Sequence, residues 1–235
     1  MNPQLYGMEH IIYIIISIIS ALCICILAKI FAKTKKSQKI IIKISALILF
    51  LIIFINRIVL VFEYEKANWL KMITDTFCST SSYVLSLAIL FGKENNCVLH
   101  FIWLIALAGG IITTFYPDFI GQNPSFLYPP TIFGLMHHTF SAIVVILLFE
   151  FNYLNLTYKK WYCTLWGFCA YFSYGAFLMC VLNFSNPFYM TGPALPNTPL
   201  TAWVIAPIYI TIYAVILLIV ELIRNNSRKK NSTIK

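Results

Sequence analysis

Charge is scarce in this chain. Its 8 acidic and 17 basic residues make up only 11% of 235 positions, against about 25% in an ordinary soluble domain. With 60% hydrophobic residues and a mean hydropathy of +0.82, a water-soluble core is excluded. The chain reads as an all-α polytopic membrane helix bundle, one domain over residues 1–235. Metal-site spacing is also missing. The cysteines, Cys23, Cys25, Cys78, Cys97, Cys163, Cys169 and Cys180, form no CxxC pair and have no histidine at zinc-finger spacing. No metal and no cofactor is therefore expected, and nothing requires a disulfide. No phosphate-loop spacing surrounds Gly109 and Gly110, which read as a site of close helix packing. There is no internal repeat, and no low-complexity segment beyond a basic tail. MNPQLYGMEH carries no positive n-region, so the first apolar stretch is expected to stay as a span.

What is present is a series of apolar runs long enough for a hydrocarbon core of roughly 30 Å. They predict seven spans near 10–32, 40–63, 74–92, 97–115, 132–151, 161–183 and 201–224, followed by a basic tail, 225–235. Lys33, Lys35, Lys36, Lys39, Lys93, Lys159, Lys160 and the tail fall on one side. Lys66 and Lys71 face Glu9, Glu63, Glu65, Asp75 and Asp118 on the other. The positive-inside rule then gives N-outside, C-inside. The same alternation explains the net charge of +9 without nucleic acid. The expected partners are membrane lipids, with homo-oligomerisation left open. Two long loops on the outer side, 116–131 and 183–199, are rich in proline and aromatics and read as shaped lids.

With direction fixed, polar residues from separate spans fall at one depth: Asn56 and Arg57, Cys78, His137 and His138, Asn183, and Tyr209. A charged side chain at that depth costs on the order of 2.5–3.5 kcal/mol, so Arg57 is expected to face a hydrated cavity, with Asp75 or Glu63 as partner. Asp75, Cys78, Ser79 and Ser82 are spaced i, i+3, i+4, i+7 and would share one helical face. Each has a plainer reading. Buried cysteines are usually packing residues, which assigns Cys23, Cys25, Cys163 and Cys169 there. Membrane serines usually bond backbone or a neighbouring helix. Paired histidines can simply bridge helices, and Arg57 can be a structural ion pair. A reactive thiol needs a base and a group that stabilises negative charge. Cys78 with His137 or His138 supplies the first pair, and Arg57, Asn183 or a hydroxyl the second.

LAGGIITTFYPD (107–118), FGLMHH (133–138), the NFSNPFYM loop and APIYI (206–210) resemble the YwaF-type family of bacterial integral membrane proteins. That family is related to the eukaryotic transmembrane protein 164 acyltransferases of ether-phospholipid remodelling. The resemblance covers about residues 70–215. The third span of that family opens with a proline-leucine-histidine-leucine-cysteine pattern. Cys78 matches its cysteine, and Thr76 stands at its histidine. The fifth-span histidine falls on His137 or His138. The resemblance implies acyl transfer through a thioester on Cys78, with one of these histidines as base, in a multi-pass protein of the bacterial cell membrane.

Three functions compete. The first is a Cys/His acyltransferase or lipid hydrolase acting on a phospholipid-like ester at the outer leaflet, using Arg57, Asp75, Ser79, Ser82, Asn183 and Tyr209 to bind substrate. The second is a lipid or small-molecule binding or transport protein using the same cavity, with Pro207 marking a discontinuous helix. In the third, the polar layer only holds helices together. The resemblance ranks the enzyme first.

Overall fold

The computed structural model describes residues 4–63, 66–117, 125–195 and 197–233. Glu65, Asp118 and loop residues 119–124 lie outside them. The elements are α1 (Met8–Phe31), α2 (Lys35–Val61), α3 (Phe77–Leu90), α4 (Cys97–Phe115), α5 (Pro129–Glu150), α6 (Tyr162–Leu182) and α7 (Ala202–Thr233). Among the described residues there is no strand, so the chain is all-α. Six of these helices, all but α3, are long and apolar enough to cross a membrane.

The third corrects the expectation of seven full spans. It has 14 residues, about 21 Å at 1.5 Å per residue, which falls short of a core of roughly 30 Å. Its late start has a local cause. Thr76 is extended, and its hydroxyl accepts from the Ser79 amide at 3.3 Å, which caps the helix. Upstream, Thr74 is held by the Thr80 hydroxyl at 2.9 Å. Hydroxyls that read as interior helix positions are used to begin the helix. At the other end of the chain α7 runs on to Thr233, through most of the basic tail.

The chain divides after Leu154 into two units. In the first, hydrogen bonds fix the helix directions. Tyr128, just before α5, donates to Glu63 just after α2, while Lys35 at the start of α2 donates to the Phe151 carbonyl after α5. These two helices are therefore antiparallel. Thr114 of α4 meets Thr139 of α5 at 2.8 Å, and Gly110 approaches Ala142, which makes α4 and α5 antiparallel as well. Tyr13 bonds Thr139 at 2.7 Å and Lys29 pairs with Glu150 at 2.9 Å, so α1 runs parallel to α5. Lys39 pairs with Glu94 at the same end. That basic end thus carries two acids of its own, which weigh little in the charge rule.

The stripe that α1 turns inward is polar. His10 and Ser17 are buried, with Tyr13 between them, while Ile11, Ile12, Ile15, Ile16 and Ile19 are exposed. In a bilayer the isoleucines gain nothing by hiding, whereas the polar groups must find partners. His10 does so by accepting from the Tyr6 amide at 3.1 Å and donating to the Thr114 carbonyl at 3.1 Å.

In the second unit, the loop after α6 folds back on its own helix. Phe188 is fully buried against the rings of Tyr171 and Tyr174. Asn186 Oδ1 accepts from the Thr191 and Gly192 amides at 3.0 and 2.9 Å, and Trp203 at the start of α7 donates to the Met190 carbonyl at 3.0 Å. The loop is built rather than slack.

Gly110 lets α4 and α5 close. A Cβ there would meet the His138 carbonyl oxygen at 2.5 Å and the Ala142 Cβ at 2.9 Å. Gly110→Ala should lower stability by about 1–3 kcal/mol, the usual cost of overpacking. Ile111→Ala, at an exposed position, should stay within about 0.5 kcal/mol. Unfolding of the purified protein in detergent reads the difference.

Candidate functional site

Cys78 is the second residue of α3, within the first turn behind the Thr76 cap. Its thiol is therefore near the positive end of that helix, where a thiolate is favoured. The sulfur packs on α4 at Gly109, where an added Cβ would come within 2.8 Å of it. The two neighbouring glycines thus serve two helices: Gly109 makes room for α3 and Gly110 for α5.

One hydroxyl pair sets α3 against α5. Ser82 Oγ lies 2.7 Å from Ser141 Oγ. Ser82 Oγ is also 3.0 Å from the Cys78 carbonyl and Ser141 Oγ 2.7 Å from the His137 carbonyl; each hydroxyl has one proton, so one serine donates to the other and the second to its own carbonyl. Residues four apart in a helix lie on nearly the same face, one turn removed. The ends of α3 and α5 also coincide, because Tyr153, just after α5, donates to Ile89 of α3. The two helices are therefore parallel, and Cys78 and His137 both sit one turn toward the N-terminal side of the serine contact.

The ring of His137 is held in one tautomer. Its Nδ1 is 3.1 Å from the Phe133 carbonyl oxygen. A carbonyl only accepts, so Nδ1 carries the proton of that bond. In the neutral ring Nε2 is then an acceptor. That atom is buried, and among the described residues it has no hydrogen-bond partner. The His138 ring lies against it with centroids 4.1 Å apart. Arg57, buried on α2, is within electrostatic reach of both imidazoles and of Tyr83. Beside it the Asn56 Oδ1 atom is buried with no hydrogen-bond partner among the described residues. Unsatisfied buried polar atoms mark a place for water or ligand.

The other expected residues fall as follows. Ser79 is spent on the helix cap, with its hydroxyl 2.7 Å from that of Thr76. Asp75 precedes the helix, so it does not belong to the helical face it was grouped with. Glu63 accepts from Tyr128 at 3.3 Å. Asn183 and Tyr209 belong to the second unit. There Asn183 ends α6 in the left-handed conformation, and Tyr209 is buried edge-on to Phe168 with centroids 5.2 Å apart. Cys23, Cys25, Cys78, Cys169 and Cys180 are thiols. Ser141 was not singled out from the sequence. Its signal was the matched spacing Cys-x3-Ser and His-x3-Ser on two spans. No group of three or more His, Cys, Asp or Glu side chains gathers as a metal site among the described residues.

These features define a multi-pass α-helical membrane protein whose first unit carries the thiol of Cys78 near the start of α3 and the stacked imidazoles of His137 and His138 on α5. The chain belongs to the TMEM164 family, whose family model matches residues 5–223 and so takes in the first two helices as well. No curated protein and no solved structure matches it.

A double-mutant cycle on Ser82→Ala and Ser141→Ala tests the register contact. The coupling energy should be about 0.6–1.7 kcal/mol, the range for hydrogen bonds between membrane helices. Unfolding in detergent measures it, and strict additivity of the two losses would remove the contact from the account.

Proposed function

We propose that the protein is a membrane-embedded acyl-transfer enzyme in which Cys78 is the nucleophile and His137 the general base. The observation that carries this is the buried Nε2 of His137, which has no hydrogen-bond partner among the described residues and is held as an acceptor by the Nδ1 bond to Phe133, in register with a thiol at the start of α3. The lipid substrate fits the setting, because a phospholipid ester lies between headgroup and hydrocarbon. In the N-outside orientation favoured by the charge distribution, this is the outer leaflet of the cell membrane, away from cytosolic acyl donors.

In the first half-reaction Nε2 takes the thiol proton and the sulfur attacks the ester carbonyl. The bond from carbonyl carbon to alcohol oxygen breaks, and the leaving alkoxide takes the proton back from Nε2. The products are a thioester on Cys78 and a lysolipid. In the second half, an acceptor hydroxyl gives its proton to Nε2 and attacks the thioester. The sulfur leaves as thiolate and recovers the proton. Water as acceptor makes the same site a hydrolase. Arg57 and the first-turn amides of α3 are the groups suited to the developing oxyanion.

A binding or transport role uses the same residues without a covalent step, and the buried Arg57 guanidinium suits an anionic headgroup. The two readings part experimentally. With protein in nanodiscs and a phospholipid bearing a tagged acyl chain, wild type should form a hydroxylamine-labile adduct. Cys78→Ala should abolish it, and His137→Asn should slow its formation by about 100-fold or more. His138→Asn should cost less than His137→Asn. If Cys78→Ala labels as wild type does while Arg57→Ala alone removes lipid-dependent thermal stabilisation, the binding role replaces the enzyme.

A further inference from the structure

A cavity lies in the first unit, between α1, α2 and α5, with a volume of about 530 Å³. This is within the 300–1,000 Å³ typical of ligand sites. Cys78, His137 and His138 do not line it. Its walls are almost entirely apolar, and Ile12, Ile16, Leu127 and Met136 on its rim are exposed. The cavity is thus a trough open on the lipid side of the bundle rather than a closed chamber.

The polar groups in the trough ask little of an occupant. The Tyr13 hydroxyl is bonded to Thr139 at 2.7 Å, and Thr139 to Thr114 at 2.8 Å. A polar solute would find this hydroxyl ladder already engaged, whereas a hydrocarbon tail needs no partner. The charged group is Glu9, whose exposed carboxylate stands at the N-terminal end of the trough. From Glu9 to Ile24, both in its wall, is fifteen residues of helix, about 22 Å. Half of a hydrocarbon core is roughly 15 Å, so the trough takes one tail of one leaflet along its whole length. A carboxylate at the head of such a tail complements a cation.

We propose that this trough holds one acyl chain of a phospholipid with an ammonium headgroup, with the ammonium at Glu9 and the tail lying along α5. The idea deepens the acyl-transfer reading by naming a lipid class, and it rests on that reading only for what the bound lipid is used for. The link is α5 itself: Met136 is in the trough wall, and His137 is the next residue. A lipid seated there is presented to the helix that carries the proposed base.

The test uses the full chain in nanodiscs of phosphatidylglycerol containing a trace of phosphatidylcholine with a photoreactive acyl chain. A matched arm carries the same acyl chain on phosphatidylglycerol. After irradiation, labelled peptides should fall within residues 9–24 and 127–143, with the choline lipid favoured over the glycerol lipid. Ile16→Trp and Met136→Trp, both at exposed rim positions that leave folding intact, should each cut labelling by roughly tenfold. Glu9→Gln should erase the headgroup preference while Glu9→Asp keeps it. Cys78→Ala should label as wild type does, which separates chain binding from thioester formation. The proposal is overturned by labelling spread evenly over the lipid-facing helices, by tryptophan variants that label normally, or by the absence of any headgroup preference. Labelling that vanishes in Cys78→Ala would overturn it too, because the label would then report the thioester. Loss of the adduct chemistry with normal trough labelling would sink the enzyme and leave the trough.

Discussion

The register of α3 against α5 hangs on two hydroxyls. Ser82 and Ser141, 2.7 Å apart, each lie close to a backbone carbonyl one turn back, and those carbonyls belong to Cys78 and His137. In water such a contact would be minor. Between membrane helices it is worth about a kilocalorie per mole, but its geometric effect is larger than its energy. Sliding α3 by one residue turns its face by about 100°, and Cys78 would leave the side that α5 faces. Everything proposed for the thiol and the imidazole assumes that this slide does not occur. The two glycines of α4 act in the same direction, because each removes a side chain where a neighbouring helix must approach.

A short α3 follows from the same polarity. Lipid offers no hydrogen bonds, so a helix can begin inside the membrane only where its exposed amides and the chain before it are satisfied by protein or water. Phe77 lies five residues before Ser82 and Pro129 twelve before Ser141. The start of α3 is therefore seven residues, about 10 Å, deeper than that of α5. Thr76 and Thr74 absorb part of the demand through the cap and the Thr80 hydroxyl. A helix that starts at that level places its positive end beside the thiol of Cys78, the second residue of α3.

Much of this was legible in the sequence, and the exceptions share a cause. Long apolar runs gave α4 at 97–115, residue for residue, and placed the other long helices to within about five residues at their N-terminal ends. The membrane class and the family likeness were legible too. Hydropathy failed at α3, because a threonine has the same hydropathy whether it lies inside a helix or caps one. For the same reason Asp75 was grouped on a face that the helix does not reach. Adjacent histidines differ by about 100° around α5, and nothing in FGLMHH says which one turns toward α3. The Phe133 carbonyl fixes the tautomer of His137, and sequence spacing alone does not assign that backbone partner. Ser141 escaped notice because serines are common in membrane helices, and only its partner distinguishes it.

The first helix shows how far the membrane reverses the ordinary code. Its isoleucines face outward and its histidine, tyrosine and serine face inward, because lipid accepts hydrocarbon as readily as a protein core does and cannot accept a hydrogen-bonding group. A helix held by a few polar contacts, rather than by an interlocked apolar seam, leaves unfilled space beside those contacts. The trough is that space. The chain builds it between α1, α2 and α5, with Met136 in its wall beside His137, so the looseness of α1 and the precision of α3 are two consequences of one solvent. Where polar partners are plentiful the helices lock in register, and where they are few the packing stays open.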